Sequence, residues 1–171
     1  EKDALGKTKS RTFIFTIYQK IMGFNIVLLE PEIPNNTGNI GRLALGTGST
    51  LHLVKPFGFE LSDKRLKRAG LDYWQHLKVI IYENQESFFK KHEDKDMIFF
   101  SAKSQKTHWE IPFKSGMFLV FGNESIGLPP AILEKEKDRT AKIPLYSPEI
   151  RSLNLANAVA IVLYEGLRQI S

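Results

Sequence analysis

Five short apolar runs recur along the chain at helix-length intervals, and this spacing constrains the fold more than any other feature. They are 25–29 (Asn-Ile-Val-Leu-Leu), 50–54, 77–82, 97–101 and 117–121, rich in β-branched and aromatic residues. Runs without polar alternation suit strands covered on both faces. Helical patterns fill the intervals. Asn36 or Thr37 can cap a helix reaching about Gly48 through Ile40, Leu43, Ala44 and Leu45. Ser62 or Asp63 can open another to Gly70, and Gln85 to His92 is amphipathic with Phe88 and Phe89 inward. Pro129-Pro130 starts a short helix over 131–135, in keeping with proline's place in a first helical turn. A short strand at 141–143 and a closing helix over 153–170, its broad face carrying Leu155, Ala158, Val159, Val162 and Leu163, complete the chain. This order predicts an α/β fold, a mostly parallel sheet with helices on both faces.

At 171 residues and 42% hydrophobic content, residues 22–171 can bury the core of a single domain. Residues 1–21 precede the first strand as a polar and basic extension that turns apolar at Phe13 to Tyr18. Two readings stand for it: an extra element packed outside the domain, or upstream sequence carried ahead of a natural start at Met22. The absence of cysteine excludes disulfides and thiolate metal sites, and His52, His76, His92 and His108 lack ligand spacing, so no metal is expected. No apolar stretch approaches the roughly 20 residues that span a bilayer. The expectation is a cytoplasmic protein with no membrane partner. The formal charge of +5 permits nucleic acid without requiring it.

Three segments depart from plain packing. The first runs from Pro34 to Arg42 (Pro-Asn-Asn-Thr-Gly-Asn-Ile-Gly-Arg), the second from Phe121 to Pro129 (Phe-Gly-Asn-Glu-Ser-Ile-Gly-Leu-Pro). The third joins Ile143-Pro144-Leu145-Tyr146 to 151–158 (Arg-Ser-Leu-Asn-Leu-Ala-Asn-Ala). Each sets Gly, Asn or Pro where an apolar strand or helix meets a loop, and α/β enzymes bind ligands at such strand ends. Gly38 and Gly41 each weaken their helix by roughly 1 kcal/mol relative to alanine, a cost that fits close approach of another group. Arg42 reads either as a functional cation or as a solvated helix residue. The densest positive cluster, Lys64, Arg65, Lys67 and Arg68, is followed by Tyr73 and Trp74. Such runs are often solvated faces, but cations beside stacking rings also suit looped RNA. No Gly-x-x-x-x-Gly-Lys-Ser/Thr, Gly-x-Gly-x-x-Gly or Gly-x-Ser-x-Gly pattern offers a competing site.

In order and spacing, the three segments resemble motifs 1, 2 and 3 of the SpoU/TrmH branch of the SPOUT RNA methyltransferases. Within that branch, 30–34 (Glu-Pro-Glu-Ile-Pro) and 64–73 (Lys-Arg-Leu-Lys-Arg-Ala-Gly-Leu-Asp-Tyr) are similar to the compact tRNA wobble-nucleotide 2′-O-methyltransferases. The resemblance implies a C-terminal deep trefoil knot, an exception to the rule that chains avoid threading. It implies S-adenosyl-L-methionine as cofactor, bound by Phe100, Ser101, Gly122, Glu124, Ile143, Leu145, Ser152 and Leu153. Arg42, Glu124 and Asn154 are its implied catalytic set, with Glu124 and Asn154 shaping the loops. Lys64, Arg65, Lys67, Arg68 and Tyr164 are implied RNA contacts, Tyr164 serving alternatively at a subunit contact. The implied partners are the tRNA anticodon stem-loop and a second copy of the chain. A ribose hydroxyl is a weak nucleophile and a sulfonium methyl a good electrophile, so the protein must align the two and assist proton loss. A guanidinium of pKa above 12 suits Arg42 to electrostatic stabilisation better than to the role of base.

Overall fold

All five apolar runs form strands, and a sixth strand closes the sheet. The computed structural model describes residues 23–60 and 72–171. The helix expected over 62–70, with Lys64, Arg65, Lys67 and Arg68, and the extension before Met22 lie outside the described residues. The strands are β1 (Asn25–Leu29), β2 (Thr50–Val54), β3 (Val79–Tyr82), β4 (Met97–Phe100), β5 (Phe118–Phe121) and β6 (Thr140–Ala141). The helices are α1 (Pro34–Gly46), α2 (Gln85–Lys91), α3 (Pro130–Lys135) and α4 (Leu155–Ile170).

Among the described residues every strand pair is parallel, and the order is β3-β2-β1-β5-β4-β6. The chain builds outward from β1 to β3, crosses the sheet, and returns through β4 to lay β5 beside β1. The strand order therefore reverses at β1 and β5, the place where a crevice opens at carboxyl ends in such sheets. Side chains alternate between faces. Ile26, Leu28, Leu51, Leu53, Leu119 and Phe121 pack with Ile40 and Ala44 of α1 and Val159, Val162 and Leu163 of α4. Val27, Leu29, Val54, Phe99 and Val120 pack on the opposite face with Phe88 of α2 and Ile132 and Leu133 of α3. Full burial of a Val, Leu, Ile or Phe side chain contributes about 1.5–3 kcal/mol before its entropy cost is subtracted.

Several boundaries differ from the sequence reading for physical reasons. Helix α1 begins at Pro34, with Ile33 as its N-cap and no side-chain cap bond, so Asn36 and Thr37 are buried within the first turn rather than capping it. Helix α4 begins at Leu155 because Asn154 caps it, its Oδ1 accepting from the amides of Ala156 at 2.9 Å and Asn157 at 3.4 Å. Strand β6 is only two residues long. The chain after it still pairs, since Lys142 N–H donates to the Lys106 carbonyl and His108 N–H donates to that of Lys142. The face expected on α4 is buried at Val159, Val162 and Leu163 and half-buried at Leu155 and Ala158, while Ile161 and Tyr164 are 40% and 59% exposed.

One polar chain crosses the core. Asn25 donates through Nδ2 to the Gly116 carbonyl at 2.7 Å, which turns its Oδ1 toward His52 Nε2 at 3.0 Å. His52 therefore carries its proton on Nε2, and Nδ1 accepts from the Tyr82 hydroxyl at 2.9 Å. Tyr82 oxygen in turn accepts from His92 Nε2–H at 2.9 Å. Burial, then the neighbouring His92 and Lys78, lowers the His52 pKa to about 3.

Candidate active site

The carboxyl ends of β4 and β5 and the chain leaving β6 surround a cavity of about 620 Å³. That volume suits a nucleoside-sized ligand. Its walls are the loop after β4 (Ser101, Ala102, Lys103), the turn after β5 (Gly122 to Gly127), and the segment from Ile143 to Leu155. The turn is compact because Gly122 has no side chain. A Cβ there would collide with the Gly127 carbonyl and the Leu128 nitrogen. Gly127 supplies the left-handed residue at φ 73°, and Asn123 closes the turn by accepting from the amides of Ile126 and Gly127.

Glu124 ties this turn to the start of α1. Its carboxylate accepts from Glu32 N–H at 2.8 Å, Ile33 N–H at 3.2 Å and Asn36 Nδ2 at 3.0 Å. Two backbone amides leading into the helix are thus satisfied by a residue about 90 positions away in sequence. The clasp is reciprocal, since Ser125 donates to Glu32 Oε2 through its amide at 3.0 Å and its hydroxyl at 2.5 Å. Asn36 carries the connection onward, accepting from Asn154 Nδ2 at 2.9 Å. A continuous series, Glu124 to Asn36 to Asn154 to the first amides of α4, joins all three segments. Hydrogen bonds to a charged acceptor contribute about 1.5–3 kcal/mol each. The geometry gives Glu124 the task of fixing loops.

Arg42 lies elsewhere. It is exposed on α1, two turns beyond the helix start, and does not line the cavity. Its guanidinium carbon sits 4.9 Å from the centre of the Tyr73 ring, and the Tyr73 hydroxyl donates to the Gly38 carbonyl at 2.6 Å. Trp74 occupies the space above Gly41, where a Cβ would approach Trp74 Cζ3 to 2.6 Å. The close approach expected at Gly41 is therefore made by a ring of this same chain. Tyr73 and Trp74, which follow the cation cluster in sequence, are half-buried against α1.

Residues 23–164 match the SpoU rRNA Methylase family. The chain belongs to this family. Among its members, the tRNA (cytidine(34)-2'-O)-methyltransferase of Saccharophagus degradans is 48% identical over 148 residues, which cover 86% of this chain and 96% of that protein. The enzyme of the same description from Escherichia coli is 42% identical over 147 residues, 85% of this chain and 93% of its own. A solved structure described as giving insight into the 2-OH methylation of C/U34 on tRNA superposes with a TM-score of 0.82 at 42% identity, covering 87% of this chain and 97% of that one. The AdoMet-bound rRNA methyltransferase of Sinorhizobium meliloti superposes at 0.77 and 25% identity, with 90% and 60% covered.

Placed on this SpoU-family fold, Phe100, Ser101, Gly122, Glu124, Ile143, Leu145, Ser152, Leu153 and Asn154 all line the one cavity. Tyr164 does not, and lies exposed on α4. The sequence reading gave no site role to Asn36, Ile33, Lys103, Ile126 or Arg151, which line it too. Asn36 could have been found only through its burial, because an asparagine in a helix's first turn looks locally like a cap. The residues fit an S-adenosylmethionine molecule: apolar walls from Phe100, Phe121, Ile143 and Leu153 stand beside the polar turn from Gly122 to Gly127. Among the described residues no group of His, Cys, Asp and Glu could hold a metal, and no helix is long and apolar enough to cross a membrane.

Proposed function

We propose that this chain transfers a methyl group from S-adenosylmethionine to the ribose 2′-hydroxyl of the wobble nucleotide, cytidine or modified uridine, in the tRNA anticodon loop. The observation that carries the reading is the convergence of all three motif segments on one cavity, tied by the Glu124, Asn36 and Asn154 bonds. The descriptions of relatives at 42–48% identity support the same substrate. When bound, the cofactor supplies a methyl group already activated as an electrophile. Phe100, Ser101, Gly122, Ile143, Leu145, Ser152 and Leu153 hold it, and Glu124 and Asn154 keep their loops closed around it. Arg42 would bind the phosphate beside the target ribose and stabilise the 2′-oxygen as its proton passes to solvent water and the methyl leaves the sulfonium, which is released as neutral S-adenosylhomocysteine.

Because Arg42 stands on the outer face of α1 and outside the cavity wall, the reaction centre is completed by a second copy of the chain. The stripe of Asn157, Ile161, Tyr164 and Arg168 on α4, exposed at helical spacing, is its contact surface. Lys64, Arg65, Lys67 and Arg68 hold the anticodon stem-loop through its phosphates. The segment following β6 is threaded as a trefoil knot, and the enzyme works in the cytoplasm on its RNA. Mass spectrometry of tRNA incubated with the protein and labelled S-adenosylmethionine tests the reading. One added methyl on the ribose of nucleotide 34 is expected, and a methyl at another position or in ribosomal RNA alone would replace the proposed substrate.

A further inference from the structure

We infer that Tyr73 is a positioning residue for Arg42, setting where its guanidinium can reach; this rests on the methyl-transfer reading. An arginine on an exposed helix face has about 2 kcal/mol of rotamer entropy to lose when it grips an anion. Here the side chain is already laid over a ring, its Cζ 4.9 Å from the Tyr73 centroid. The ring is itself anchored. The Tyr73 hydroxyl donates at 2.6 Å to the carbonyl of Gly38, one turn before Arg42 on the same helix. Trp74 is seated in the space over Gly41, so two consecutive aromatic residues of the 3₁₀ turn Asp72–His76 grip two consecutive turns of α1.

Gly41 of the first motif gains a reason from this arrangement. It leaves the side of α1 bare where Trp74 and Leu77 sit, and Arg42 follows at once. A guanidinium engaged on its flat face keeps its N–H edge for phosphate or alkoxide. Tyr73 touches neither substrate nor cofactor in this scheme and acts through Arg42 alone.

The test is a double-mutant cycle on the full chain, read by transfer of labelled methyl to tRNA. Tyr73→Leu should lower kcat by roughly 2- to 30-fold, the range of a cation-over-ring contact. Affinity for S-adenosylmethionine, measured by calorimetry, should stay within about twofold of the starting protein. Tyr73→Phe keeps the ring and should recover most of the rate. In the Arg42→Ala background, the residual rate should not fall further when Tyr73→Leu is added. Undiminished kcat in Tyr73→Leu, or the same fractional loss in both backgrounds, would overturn the positioning role while leaving the methyl-transfer reading intact. A starting protein that methylates no tRNA would overturn the reading and the positioning role together.

Discussion

Replacing Glu124 by Gln separates a structural clasp from a chemical group at the centre of the site. The carboxylate receives two backbone amides and one side-chain amide on its two oxygens. An amide offers one oxygen, so whichever way it turns, its NH₂ faces the amide of Glu32 or Ile33 and leaves that donor unpaired. Loss of a charge-assisted bond costs about 1.5–3 kcal/mol. Loss of negative charge at the entry of the 13-residue α1 adds about 0.3–1 kcal/mol. The sum, on the order of 2–4 kcal/mol, is a large part of the roughly 5–15 kcal/mol that stabilises a domain. At about 2–4 °C per kcal/mol for a chain of this size, the melting midpoint should fall by roughly 5–15 °C. Scanning calorimetry with a urea titration measures it, and Asn36→Ala should show a smaller loss in the same direction. If Glu124→Gln melts within about 1 °C of the starting protein while methyl transfer collapses, the carboxylate serves chemistry and the clasp argument is wrong.

Arg42→Ala should cut methyl transfer to a small residual rate and leave calorimetric binding of S-adenosylmethionine nearly intact; full activity would remove Arg42 from the reaction. Neutralising Lys64, Arg65, Lys67 and Arg68 together should reduce the slope of log affinity for tRNA against log salt by roughly 3, and an unchanged slope would return the cluster to a solvated face. His52, whose pKa falls to about 3 on folding, binds its proton more readily in the unfolded chain. Stability should therefore be complete above pH 6.5 and drain away as pH falls toward 3. In urea titrations at stepped pH, His52→Phe should show a shallower decline over that window, and equal declines would refute the assignment.

Legibility of this fold in the sequence follows the range of the forces involved. Strands β1 and β2 are recoverable to the residue because both faces are buried, so their apolar runs end where the strands end. Gly122 and Gly127 mark a tight turn by composition alone. The error at Asn36 has a different origin. Its side chain is bound by Glu124 and Asn154, 88 and 118 residues away, and no local pattern encodes a partner at that distance. Tyr73 shows the same limit. Nothing near it in sequence names Gly38 as its partner, and only the third dimension brings that carbonyl beneath its hydroxyl. The glycine and asparagine turns that flank the cavity were legible in the sequence, whereas the bonds holding them together were not.

The charged residues in the cavity wall lead to a stricter demand on the assembly. Among the described residues they are Lys103, Glu124 and Arg151, and Glu124 is already committed to three donors. Arg42 is absent from that wall and lies two turns along α1. On the proposed reaction, one subunit then offers the cofactor cavity and its partner offers the arginine, so neither works alone. Two variants isolate the halves. Gly122→Ala drives a Cβ into the Gly127 backbone and should close the cavity, while Arg42→Ala leaves the cavity open. Each should be nearly inactive by itself. Co-expressed with separate affinity tags and purified as the mixed pair, they should regain transfer, because one cavity per pair is intact and faces an intact Arg42 from the other chain. A mixed pair as inactive as its parents would mean that Arg42 serves the cavity of its own chain, and α1 would then have to move to bring it there.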